Sequence, residues 1–223
     1  MSLLPQFTHI VNPKLKHIYL TFDDEGNLVI KSPRVSQRKI EQLLLKKASW
    51  INSSREKIAQ KKGKGVDFAK TPECYYLGKP YPITLIRHDK KRIKLDFNSE
   101  KFTLYYHTYD ETLFQTHLDR FYKKEAQEQI PSLVAYWSDE MSLSATGIRF
   151  RKTKRQWGSC SAKNVLSFNT MSMKLPHHVL QYIIVHELAH IKHKHHQKSF
   201  WQLVEHHLPD YKARIKELRN YTT

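Results

Sequence analysis

In the stretch Val185-His186-Glu187-Leu188-Ala189-His190, two imidazoles stand four residues apart and a carboxylate directly follows the first. On a helix, residues four apart lie nearly one above the other, so His186 and His190 can share one metal ion. Glu187 is turned about 100° away around the axis. From there its carboxylate can reach a metal-held water without taking a ligand position, which is the division of labour in an H-E-x-x-H hydrolase site. A catalytic zinc keeps three protein ligands and one open position, so a third ligand is required. His196 is the natural candidate, six residues beyond His190 and past the expected helix end. His193 and His195 are its rivals. His193 falls on the same helix face one turn further on, which suits tetrahedral closure poorly.

The plain alternative is an amphipathic helix with His and Glu on a solvated face. The preceding run Val179-Leu180-Gln181-Tyr182-Ile183-Ile184-Val185 argues against it, because a stretch this apolar is buried. Buried polar groups need partners, and a metal ion is the economical one.

The elements that must position these residues follow from periodicity. Residues 7–31 read as strands, with His17–Phe22 and Leu28–Ile30 joined through the turn Asp23-Asp24-Glu25-Gly26-Asn27. Ser36 is a suitable N-cap for a helix presenting Ile40, Leu43, Leu44 and Ile51 on one face, with Trp50 anchoring it to the sheet. Residues 61–72 read as a basic connector. Short strands then follow around Tyr75–Gly78, Ile83–Arg87, Ile93–Phe97 and Phe102–Tyr106, joined as a meander. Tyr105 and Tyr106 among lysines could stack on bases, but a half-buried sheet with solvated lysines is the simpler reading.

From Glu111 the period becomes helical through Trp137, with Pro131 expected to kink or divide the helix. Ile148–Arg151 is a strand, Arg155–Ser161 a compact turn, and Val165–Asn169 another strand. The metal helix spans roughly His177 to His193. A short helix over 198–208 and a last helix opened by Pro209-Asp210 close the chain. Cys160 could be a ligand or a reactive thiol, but a buried structural cysteine is the simpler assignment. Trp157 and Trp201 read as core anchors.

Composition bounds the function. With 223 residues, 39% of them hydrophobic, the chain can bury a core. Lys plus Arg number 38 against 21 acidic residues, a net charge of +17. That balance favours polyanions, nucleic acid among them, although charge speaks to association and not to fold. Two cysteines far apart imply no disulfide framework and suit a reducing cytoplasm. No signal peptide and no membrane span are expected.

Several motifs in order carry a family resemblance. Gln156-Trp157-Gly158-Ser159-Cys160, Leu166-Ser167-Phe168-Asn169, Tyr182 to His190, His196 with Phe200-Trp201, and Pro209-Asp210-Tyr211 resemble the YgjP-like metallopeptidase family, which is similar to the SprT-like and small gluzincin-type zincins. The match covers the C-terminal half motif by motif and the N-terminal half in outline. It departs from the family at His195, where Asn is common, and at Gln156, where Arg is common. The resemblance implies an α+β fold with a C-terminal zincin-like domain, its metal helix packed on a short sheet, over residues 108–223. A strand-rich N-terminal accessory region would occupy residues 1–107. Carried over position by position, it implies His186, His190 and His196 as zinc ligands and Glu187 as catalytic base. The spacing to His196 also fits metzincins, but His193 stands where they have Gly and no Met follows to supply their turn.

The expected reaction is hydrolysis of a peptide bond in a peptide or protein substrate. A second electrophile is expected to hold the oxyanion, with Lys154, Arg155 and His206 as candidates. Two alternatives stand beside it. One is a metal-dependent nucleotide or phosphoanhydride hydrolase, although three histidines favour zinc over magnesium. The other is a nucleic-acid-associated protease or binding module, whose binding would weaken steeply with salt.

Overall fold

A computed structural model of the chain describes residues 5–23 and 26–223. The mixed α+β architecture contains six α-helices and three small sheets among the described residues. It divides into two compact units, Met1–Lys61 and Lys62–Thr223.

In the first unit, strands β1 (Phe7–Val11), β2 (Tyr19–Phe22) and β3 (Leu28–Ser32) form a sheet ordered β1-β3-β2. The β2–β3 pair is the expected antiparallel hairpin, while β1 joins β3 in parallel. Asp24 and Glu25 of its turn lie outside the described residues. Helices α1 (Gln37–Lys46) and α2 (Ala48–Ala59) meet at Lys47, where the expected single helix breaks. Ile40, Leu44 and Ile51 nevertheless share one buried face against Leu28 and Ile30. Trp50 rests on Phe22 with ring centroids 5.7 Å apart but stays 46% exposed, so it borders this core instead of filling it.

In the second unit, the expected connector is tied down. The Lys62 amide donates to the Asn220 carbonyl at 2.7 Å, and Phe68 is buried against Phe114. Strands β4 (Glu73–Tyr76), β5 (Lys79–Arg87), β6 (Lys94–Phe97) and β7 (Phe102–Tyr106) form a sheet ordered β4-β5-β7-β6. This is not the expected meander, because β7 inserts between β5 and β6 and runs parallel to β5. The cause is burial. Phe102 and Leu104 are fully buried and take the inner position, whereas Lys94 and Asp96 put β6 on the edge.

Helix α3 (Glu111–Met141) packs on these strands, opened by Asp110, whose carboxylate accepts from the Leu113 amide. Pro131 neither ends nor divides it: the helix continues for 31 residues, with Ile130, Val134 and Trp137 buried around the proline. That packing outweighs the one backbone hydrogen bond a proline removes. Because β4–β7 and α3 share one hydrophobic core with the C-terminal helices, the boundary expected at 107/108 falls inside this unit.

Strands β8 (Gly147–Arg151), β9 (Gly158–Cys160) and β10 (Val165–Asn169) form the third sheet, ordered β8-β10-β9. Residues 158–160, expected within a turn, are therefore an edge strand, recruited by antiparallel pairing of Gly158, Ser159 and Cys160 with Phe168, Ser167 and Leu166. A 3-10 helix (Thr170–Lys174) leads to α4 (His177–Lys192), followed by α5 (Lys198–His207) and α6 (Tyr211–Leu218). Helix α4 contacts α3, α5, α6 and β9. No helix among the described residues is long and apolar enough to cross a membrane.

Candidate metal centre

Helix α4 is buried on almost every side, through Val179, Leu180, Ile183, Ile184, Val185, Leu188 and Ala189. Only a narrow strip remains for chemistry, and it carries His186 and His190. The helix stops when His193 turns extended (φ −126°, ψ 103°), and the chain doubles back so that His196 faces the pair. Trp201 of α5 holds that return. Its indole N–H donates to the His196 carbonyl at 3.1 Å, and its ring stacks on the imidazole, with Tyr211 stacked behind it.

One ligand-type nitrogen from each of His186, His190 and His196 lies within 4.8 Å of the others. The Nε2 atoms of His186 and His196 are 3.1 Å apart. Two ligands of a tetrahedral zinc with Zn–N near 2.05 Å sit roughly 3.3 Å apart, so this spacing fits a shared ion. The far sides of the rings are also engaged. His190 Nδ1 donates to the His193 carbonyl at 2.9 Å, which fixes the proton there and leaves Nε2 a lone pair. His186 Nδ1 lies 3.2 Å from the Tyr182 hydroxyl, one helical turn back. Phe200 packs against all three rings. Burial, reinforced by the neighbouring imidazoles, pulls His186 down to about 3, and burial also lowers His190. These two rings are thus held neutral, the form a metal needs.

Glu187 is 5% exposed, and its Oε2 has no hydrogen-bond partner among the described residues. Burial alone pushes its carboxyl up to about 8. A buried carboxylate without a partner is costly, and a water or cation beside it removes that cost. Gly158 of β9 forms the wall opposite. A Cβ there would sit 2.7 Å from both Cγ and Oε1 of Glu187, so only glycine lets the strand approach. Three converging imidazoles are a donor set that fits a divalent ion, and Glu187, with its orphaned carboxylate oxygen, follows the first of them in the chain.

Of the rivals for third ligand, His193 contributes its carbonyl to His190, and its ring faces Ser199. His195 is exposed and belongs to no ligand cluster among the described residues. Cys160 is half-buried on β9, its thiol pushed up by burial and 3.7 Å from Lys194 Nζ. It too stands outside the histidine cluster. Lys154, Arg155 and His206 are exposed, and His206 packs on His207. Sequence reasoning gave Gly158, Tyr182 and Phe200 no role at the metal. Tyr182 was recoverable from its i−4 spacing to His186, but the approach of Gly158 to Glu187 is tertiary and leaves no local trace.

The model of the YgjP-like metallopeptidase domain matches residues 16–221. The chain belongs to this family. YgjP-like domains are metallopeptidase-type hydrolases, and membership implies a divalent metal. The UTP pyrophosphatase of Escherichia coli (strain K12) is 38% identical over 68 residues, which are 30% of this chain and 41% of that protein. The match thus spans less than half the length of that curated relative. Solved structures match as well, two metallopeptidase zymogens among them. The metallopeptidase zymogen abylysin of Pyrococcus abyssi has 25% identity and a TM-score of 0.37, covering 43% of this chain and 100% of that one. The zymogen jannalysin of Methanocaldococcus jannaschii has 22% identity and a TM-score of 0.36, covering 40% and 96%.

Proposed function

We propose that the protein is a zinc-dependent hydrolase of peptide bonds, with a zincin-like catalytic layout in its C-terminal half. His186, His190 and His196 would hold the ion and Glu187 would act as general base. The observation that carries this reading is the convergence of the three imidazole nitrogens, with Glu187, whose buried Oε2 has no hydrogen-bond partner among the described residues, next to His186 in the chain. Three neutral nitrogen ligands favour zinc or a close neighbour over magnesium. When bound, the ion polarises the oxygen of the scissile bond and acidifies a water. Glu187 moves the proton: its carboxylate takes it from the attacking water and returns it to the leaving amine. Tyr182 and the His193 carbonyl keep two rings oriented, and Gly158 leaves the carboxylate room. Two free cysteines fit the reducing cytoplasm in which we place the protein.

A second reading keeps the residues and changes the bond, from amide to phosphoanhydride. The similarity to a UTP pyrophosphatase favours it. A nucleic-acid-associated role has only the net charge of +17 behind it. Wild type and Glu187→Gln, both metal-loaded, should be screened against a peptide library and nucleoside triphosphates. Turnover of peptides by wild type alone supports the first reading, and turnover of triphosphates by wild type alone supports the second. Equal turnover by both proteins removes Glu187 as the base.

A further inference from the structure

The sheet beside Glu187 has a second face that the reaction above does not use. On β10, Leu166 and Phe168 point into the core, so Ser167 and Asn169 point the other way. Register puts Arg149 opposite Ser167 and Arg151 opposite Asn169, and it puts Ser159 of β9 on the far side of Ser167. One face is therefore apolar against α4, and the other carries two arginines over a floor of hydroxyls. Arg151 donates through Nη2 to Ser167 Oγ at 2.9 Å, leaving the rest of its guanidinium available.

The segment after β8, Lys152-Thr153-Lys154-Arg155-Gln156, adds three cations. It is braced from beneath. Asn169, 2% exposed, donates through Nδ2 to the Thr153 carbonyl, to Thr153 Oγ1 and to the Gln156 carbonyl, at 2.8, 3.1 and 2.9 Å. Thr153 Oγ1 donates in turn to the Gln156 carbonyl at 2.6 Å. Lys152 is paired with Asp119. Arg149, Arg151, Lys154 and Arg155 have no acidic partner among the described residues.

Between the braced segment and the strands lies a cavity of about 50 Å³, lined by Arg151, Thr153, Gln156, Gly158, Ser159 and Ser167 among others. At about 30 Å³ of liquid per water, it holds one or two waters. Gly158 is a wall of this cavity and also the residue against which Glu187 packs.

We propose that Arg151, Lys154, Arg155 and the cavity that Arg151 lines form an anion subsite that takes the phosphate chain of a di- or triphosphate substrate, on the face of the sheet opposite Glu187 with Gly158 between them. The inference rests on the phosphoanhydride branch of the proposed function. Several cations without acidic partners suit a group with several negative charges better than a single carboxylate. An arginine fork with hydroxyl donors beside it matches phosphate oxygens. The competing view is a solvated basic face on a basic protein, which attracts any polyanion without preference for place.

Isothermal titration of inorganic triphosphate into the purified full chain at low ionic strength separates the two. Lys154→Gln/Arg155→Gln leaves the Arg151–Ser167 bond intact, and Arg151→Gln tests the fork itself. The control, Lys46→Gln/Lys57→Gln, removes two charges from the first unit. The expected result is at least about tenfold weaker binding for each subsite variant and a change within about twofold for the control. UTP should follow the same pattern, and an acidic peptide should not bind saturably. Equal losses in the subsite and control variants, no loss in the subsite variants, or a peptide bound as tightly through the same residues would each overturn the proposal. Glu187→Gln should bind triphosphate like wild type, so failure of hydrolysis and failure of the subsite are separate results.

Discussion

Among single residues, the proposed chemistry depends first on the proton that Glu187 would carry. Burial strips water from Glu187 and raises its proton affinity, and its Oε2 has no hydrogen-bond partner among the described residues. Glu187→Gln preserves shape and removes the proposed base, so turnover should fall by about 10²–10⁴-fold with metal content unchanged. Tyr182 touches His186 Nδ1, and Tyr182→Phe should weaken metal affinity by about 10–100-fold while the fold stays intact. A competition titration against a chelator reads this directly, and unchanged affinity would leave Tyr182 a packing residue. That His186 and His190 share a helix face was legible in the sequence, because helical spacing alone puts them in register. Gly158 was not, since its constraint comes from a side chain 29 positions away that only the folded chain brings near.

At the scale of elements, strands and helices were readable where a local period dominates. The run from Val179 to Val185 is buried as its composition demands, and Ile40, Leu44 and Ile51 share a face even across the break at Lys47. Pairing was less readable. The inner place of β7 reflects which strand is most apolar, and β9 is a strand only because β10 offers it a partner. The cap of α3 gives a stability test. Asp110→Ala leaves the Leu113 amide without its acceptor and should cost about 1 kcal/mol. For a chain of this size that lowers the thermal midpoint by about 2–4 °C.

Lys174, in the 3-10 helix, gives a test by pH. Its ammonium donates to the Gly63 carbonyl, and burial, assisted by Lys152, pulls its pKa from 10.5 to about 8. The folded state releases this proton before the unfolded chain does. Its contribution to stability is therefore complete above 10.5 and is lost as pH falls through 8. Cys74, pushed up to about 12, and Tyr122, also raised, pull the other way in alkali, so the comparison must be with a variant. The stability of wild type minus that of Lys174→Met, from urea unfolding, should rise between pH 8 and 10.5.

At the scale of the whole molecule, two hydrophobic cores divide the chain, and all of the candidate metal centre belongs to the second unit. Residues 62–223 made alone should fold cooperatively and bind metal, and a molten fragment would contradict that division. The boundary was hard to read because β4–β7 resemble a separate sheet until α3 joins them to the C-terminal core. The proposed chemistry stands on three imidazoles holding one ion. Elemental analysis by mass spectrometry after exhaustive dialysis tests it on wild type, Glu187→Gln, His190→Ala and His196→Ala. One zinc per chain is predicted in the first two, and far less than one in the histidine variants. A full equivalent retained by His196→Ala, or none in wild type, would contradict it.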